Sequence, residues 1–110
     1  MNQSYRSSWV YILKCRNGMY YTGCTTNLEQ RLNQHYHGFF PGKTRNLRPV
    51  KLVFSEEFND IDDIDDAIRM GRRIKGWTRV KKEALIQRDF KKLEKLSNLK
   101  KRRHPSTSSG

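Results

Sequence analysis

The side chains that could do chemistry in this 110-residue chain are two cysteines, two close histidines, a run of aspartates and a large excess of Lys and Arg. Cys15 and Cys24 form no CxxC pair, and two cysteines without a secretory leader make no disulfide framework, so neither a zinc ribbon nor a stapled scaffold is expected. His35 and His37 are two apart, a spacing that splits them onto different faces of a helix and argues against a zinc site. Arg31 and His35 are four apart and share a face. Five of the eight residues from Asn59 to Asp66 are Asp, which suits the positive end of a helix dipole better than a metal cluster.

The charge is segregated. Net charge is +12, from 23 Lys and Arg against 11 Asp and Glu. Residues 69–103 hold fifteen positive and three negative groups (Glu83, Asp89, Glu94), which equals the whole net charge, whereas residues 1–60 hold eight and four. Clustering of this kind points to a polyanion partner, because each Lys or Arg that meets a phosphate releases condensed counterions. Nucleic acid is the first candidate, and an anionic membrane surface the second. The longest apolar run, Trp9–Leu13, falls far short of the ~20 residues a membrane span needs. A cytoplasmic monomer is expected.

The elements that must position these residues can be read from pattern. Trp9–Cys15 is rich in β-formers and reads as a strand, Arg16-Asn17-Gly18 as a turn, and Met19–Cys24 as the returning strand. A two-residue Asn-Gly turn would put Tyr11 and Tyr21 on opposite faces. A three-residue loop with Gly18 left-handed would pair Cys15 with Met19, Leu13 with Tyr21 and Tyr11 with Gly23, and so bring both tyrosines to one face. Local propensity favours the first. Thr26 to Glu29 fits a capping box opening a helix that runs to about His37 and ends at Gly38, with Leu28 and Leu32 toward the core. Residues 38–49 read as a loop and Val50–Phe54, extending toward Phe58, as a third strand. A second helix opens within residues 59–66, with Ile61, Ile64, Ala67, Ile68 and Ile74 as its apolar stripe and Gly71 at the centre of that stripe. Thr78 caps a further helix over Arg79–Ile86, and Phe90, Leu93, Leu96 and Leu99 mark a last, basic one. Residues 1–8 read as a loose start, 9–99 as one domain and 100–110 as a basic, then Ser-rich, disordered tail.

Five segments, taken in order, resemble the GIY-YIG nuclease superfamily, above all its small stand-alone bacterial branch. They are Val10-Tyr11-Ile12, Tyr21-Thr22-Gly23, Arg31-x-x-x-His35, Arg48-Pro49-Val50-Lys51-Leu52-Val53 and Arg73-Ile74-Lys75-Gly76-Trp77. The resemblance implies an α/β (α+β) fold with a small three-stranded antiparallel sheet in the order β-β-α-β-α-α. It also implies the three-residue hairpin loop, since both motif tyrosines belong to one site. On this likeness Tyr11 and Tyr21 line a catalytic site, with Tyr11 helping to activate water. Arg31 holds the scissile phosphate, and His35 relays a proton or contacts phosphate. Lys43, Arg45, Lys75 and Arg79 are the expected nucleic-acid contacts, the polyanion being DNA. The family also implies Mg2+ or Mn2+, held by a glutamate that aligns with position 71, where this chain has Gly71. Glycine supplies no side-chain oxygen, so the likeness supports two readings: an impaired metal-dependent endonuclease, or a non-catalytic nucleic-acid-binding protein on the same fold. Tyr36, Phe39, Phe40 and Trp77, interleaved with basic residues, would also serve base stacking.

Overall fold

β-Branched and aromatic side chains concentrate in three segments, and these form one antiparallel sheet: β1 (Ser8–Lys14), β2 (Tyr20–Thr25) and β3 (Lys51–Phe58). The computed structural model describes residues 7–59 and 63–97. The strand order is β2-β1-β3, which leaves β1 in the centre. Val10, Tyr11, Ile12 and Leu13 are consequently all fully buried, because both faces of the sheet are covered. Helix α1 (Leu28–Tyr36) supplies Leu28 and Leu32 to the face holding Tyr11, Leu13 and Cys15. Helix α3 (Asp63–Lys75) packs across all three strands, with Ala67 and Ile74 fully buried.

The hairpin takes the three-residue loop. Gly18 sits at φ 87°, a left-handed conformation that favours glycine, and the Cys15 and Gly18 amides close the loop on Met19 and Cys15 carbonyls at 2.8 Å each. Leu13 pairs with Tyr21 and Tyr11 with Gly23, so the two tyrosines share a face. On the other side of β1 the register shifts between Ile12 and Leu13. Ile12 faces Phe54 while Leu13 faces Leu52, and Val53 is the extra residue of a bulge.

Three local expectations are corrected. The cap of α1 is Asn27, whose Oδ1 accepts from the Gln30 amide at 3.1 Å, so the Thr26–Glu29 capping box does not form. Asn is the stronger cap, and the Thr25 hydroxyl turns the chain just before it by accepting from the Asn27 amide. The loop over 38–49 contains a short helix, α2 (Lys43–Asn46). In α3, Ile68 is 41% exposed, so the buried stripe is Ala67, Gly71 and Ile74; Ile61 and the side chain of Ile64 lie outside the described part.

The chain divides into two compact units, Met1–Gly76 and Trp77–Gly110. In the second, α4 (Arg79–Ile86) is capped as expected by Thr78, whose hydroxyl accepts from the Lys81 amide at 3.3 Å, and a further helix spans 90–97. Lys81 lies over the Trp77 ring at 4.4 Å. The Ser-rich tail, Leu99 and most of the expected loose N-terminus lie outside the described residues. No helix among the described residues is long and apolar enough to cross a membrane.

Candidate functional site

Edge strand β2 separates two features. On the α1 side, Tyr11 from β1, Tyr21 from β2, and Arg31 and His35 from α1 come together. The Tyr11 and Tyr21 rings are 6.4 Å apart, and His35 lies edge-on to both, at 5.7 and 5.2 Å. Phe40 roofs the group, 4.5 Å from the His35 ring and 6.5 Å from Tyr21, and the Arg31 guanidinium lies over the Phe40 ring at 4.7 Å. All four residues singled out in the sequence therefore converge. Their exposure is unequal: Tyr11 and His35 are fully buried, while Tyr21 and Arg31 are half-buried.

Burial is tolerable because the polar atoms are paired. The Tyr11 hydroxyl and His35 Nε2 are 2.9 Å apart, and His35 Nδ1 and the Thr44 hydroxyl are also 2.9 Å apart. Burial, and then the nearby Arg31 charge, bring the His35 pKa down to about 4. At neutral pH the ring is neutral, with one nitrogen donating and the other accepting, and the two hydroxyls satisfy both. Burial also pushes the Tyr11 phenol up to about 12; Tyr21 adds to the rise and Arg31 opposes it. The Tyr21 phenol is raised by burial against the same opposition from Arg31. At neutral pH Tyr11 thus keeps its proton and His35 stays neutral. Arg31 is the only half-buried cation of the cluster, and its guanidinium is suited to phosphate oxygens.

Thr44 was missed in the sequence. It is buried at 1% exposure on α2, nine residues from its partner, in a stretch that reads as a polar loop. Gly23 explains another motif position. A Cβ there would stand 2.3 Å from the Tyr11 hydroxyl oxygen, so the ring requires a glycine beneath it.

On the α3 side, Gly71 faces the opposite surface of the same strand, since Cys24 and Thr22 alternate in direction with Gly23 and Tyr21. It lines a cleft of about 160 Å³ with Thr22, Gly23, Cys24, Arg72 and Lys75, within reach of the Arg31 charge that acts on Cys24. Gly23 is common to both features: it underlies the Tyr11 ring and lines this cleft. A Cβ on Gly71 would meet only the Cys24 Cβ, at 3.9 Å. Thr22 is buried, and its hydroxyl has no partner among the described residues. The Cys24 thiol is raised by burial, with Arg31 opposing. The donor set does not fit a divalent cation, which binds hard oxygen ligands. The charged groups lining the cleft, Arg72 and Lys75, are both cationic, and among the described residues no three His, Cys, Asp or Glu side chains gather to hold a metal.

The expected nucleic-acid contacts are dispersed. Lys43 and Arg45 belong to α2, with Arg45 exposed, and Lys75 lies at the Gly71 cleft. In the second unit, Arg79 is paired with Glu83 at 3.2 Å on the surface, an interaction of little energetic weight. Arg16 fixes the loop that carries α2 by donating to the Arg48 and Asn46 carbonyls at 3.0 and 3.1 Å.

Comparison with known proteins gives the family. The GIY-YIG catalytic domain model matches residues 7–96. A UPF0213 protein of Halobacterium salinarum is 41% identical over 77 residues, covering 70% of this chain and 96% of the relative. A UPF0213 protein of Syntrophus aciditrophicus is 37% identical over 83 residues, covering 74% and 92%. The solution NMR structure of a UPF0213 protein from Bacillus halodurans is 34% identical, covers 74% of this chain and 83% of its own, and has a TM-score of 0.48. The chain belongs to the GIY-YIG family, whose role is nuclease-like or nucleic-acid-binding.

Proposed function

We propose that this chain binds nucleic acid through its sugar-phosphate backbone at the Tyr11, Tyr21, Arg31 and His35 site, and that it is an impaired endonuclease because position 71 lacks the carboxylate that phosphodiester hydrolysis needs. The observation that carries this reading is the contrast between the two sides of β2. The tyrosine side keeps a cation beside paired phenols. The α3 side has room for a longer side chain at position 71 and offers only Arg72 and Lys75 around it. DNA is the expected substrate. Magnesium or manganese is the ion a glutamate at position 71 would serve. A non-catalytic reading of the chain as it stands is supported by the absence of a carboxylate at position 71, and the raised Tyr11 and lowered His35 pKa are consistent with it.

The test is an anisotropy titration of labelled duplex and branched DNA. Affinity falls at least about tenfold between roughly 50 and 200 mM salt, as phosphate contacts by Lys and Arg require. Removing residues 100–110 weakens binding without unfolding the domain, and Arg31→Ala weakens it further. An affinity that does not change with salt would refute the electrostatic picture.

A further inference from the structure

Phe39 is the most exposed large apolar side chain among the described residues, at 77%, and the site beneath β2 does not use it. Its surroundings are ordered. The Phe39 and Phe40 amides both donate to the Gln34 carbonyl, at 2.8 and 3.2 Å, and Gly38 before them is left-handed at φ 75°. This turn at the end of α1 sends Phe40 inward onto Arg31 and His35 while Phe39 stays outside. Phe39 stacks on the His37 ring, with centroids 5.8 Å apart and planes at 17°. His37 is itself held in place, because its Nδ1 donates to the Asn33 carbonyl at 2.8 Å. A two-ring stack therefore ends in an open aromatic face.

That stack borders a shallow, open cleft of about 390 Å³ on the outer side of α1. The cleft is lined by Asn27, Glu29, Gln30, Asn33 and Gln34 with the two rings, and the Asn27 amide oxygen is occupied by the Gln30 backbone amide, which leaves the side chains of Gln30, Asn33 and Gln34. The three amides have no hydrogen-bond partner among the described residues. Amides offer paired donors and acceptors of the kind that match base edges, and a carboxylate accepts from an exocyclic amine. Glu29 also repels a phosphate, so the cleft does not suit a backbone anion.

We infer that this cleft receives one unpaired nucleobase, stacked on Phe39 and read by the amides and Glu29, so that the chain prefers single-stranded or locally unpaired nucleic acid to continuous duplex. The inference rests on the nucleic-acid-binding reading above and names the form of the substrate. A base inside a duplex is already stacked on both sides and has no free face to offer. Cytosine and adenine carry the amine that Glu29 accepts; thymine does not.

The experiment compares the full chain with Phe39→Ala on three probes at one salt concentration: single-stranded oligo-dC, single-stranded oligo-dT and a matched duplex. A fourth, 2-aminopurine-containing single strand reports stacking directly by its fluorescence. The unmodified chain binds oligo-dC more tightly than oligo-dT and quenches 2-aminopurine. Phe39→Ala lowers single-strand affinity about tenfold, the usual cost of losing one stacked base, abolishes the quench and leaves duplex affinity within twofold. Glu29→Gln narrows the preference for oligo-dC. Because Phe39 is exposed, its truncation leaves the core intact, and thermal melting verifies this. An unchanged single-strand affinity in Phe39→Ala, or an equal loss on single strand and duplex, overturns the inference while leaving backbone binding standing. A chain that binds none of the probes overturns the nucleic-acid reading and this one with it.

Discussion

Gly23 and Gly71 lie near one another across an edge strand, and the structure treats them oppositely. At Gly23 an added Cβ would stand 2.3 Å from the Tyr11 hydroxyl and 2.4 Å from the ring carbon that bears it. At Gly71 it would find a single neighbour at 3.9 Å, an ordinary contact. The first glycine is required by packing. Nothing in the structure requires the second, and mid-helix glycine costs about 1 kcal/mol relative to alanine. A required glycine explains itself by what presses on it. An unrequired one draws attention to the side chain that the space would hold.

The largest expected effect comes from filling that space with chemistry. Gly71→Glu, assayed with magnesium or manganese on branched and duplex DNA, raises cleavage on the order of a thousandfold over the unmodified chain. Tyr11→Phe or Arg31→Ala in the same background removes the gain. Equal cleavage by both proteins would mean that a different carboxylate serves the site and that position 71 is misassigned. If neither protein cuts while both bind, the domain is a binding module whose losses extend beyond one residue.

The buried side of the strand has its own signature in pH. His35 titrates at about 4 when folded against an ordinary value of 6.5, so between those values the unfolded chain takes up a proton that the folded chain refuses. Stability is fully present above about pH 6.5, falls as the pH drops, and levels off near pH 4. The loss amounts to roughly 3 kcal/mol, and replacing His35 with Gln flattens that part of the profile. Chemical denaturation at several pH values measures it. A profile identical in the two proteins would mean that His35 is hydrated or charged in the folded state.

The smaller effects set the two glycines directly against each other. Gly23→Ala forces the Tyr11 ring out of place and destabilises by about 1–3 kcal/mol, as overpacking does. Gly71→Ala fits and stabilises by up to about 1 kcal/mol. Melting both variants decides the contrast; a destabilised Gly71→Ala would show that the α3 side is closed to side chains after all.

The sheet and its helices were legible because β-branched runs, the Asn17-Gly18 turn signal and the Ala67–Ile74 spacing each report a local preference. The hairpin register was not local. Propensity favoured the shorter turn, and only the likeness to a family with two tyrosines in one site gave the register that the structure adopts. The cap of α1 was misplaced by one residue because Thr26 and Asn27 both qualify, and the turn made by the Thr25 hydroxyl is what favours Asn27. Thr44 left no trace, since a contact between a loop hydroxyl and an imidazole nine residues away has no periodicity to betray it. The outward exposure of Ile68 follows from where α3 sits on the sheet, which its heptad-like stripe does not record.

Phe39 and Phe40 have one further consequence. Adjacent residues serve two different places, Phe40 over the tyrosine site and Phe39 beside the α1 cleft, and the left-handed Gly38 turns the chain just before them. Inserting one residue after Gly38 would bring Phe39 to the inward place of Phe40, and deleting one would bring Pro41 there. The length of this stretch is therefore constrained as strictly as its composition, and across the family gaps should avoid the segment from His37 to Phe40 even where substitutions are accepted.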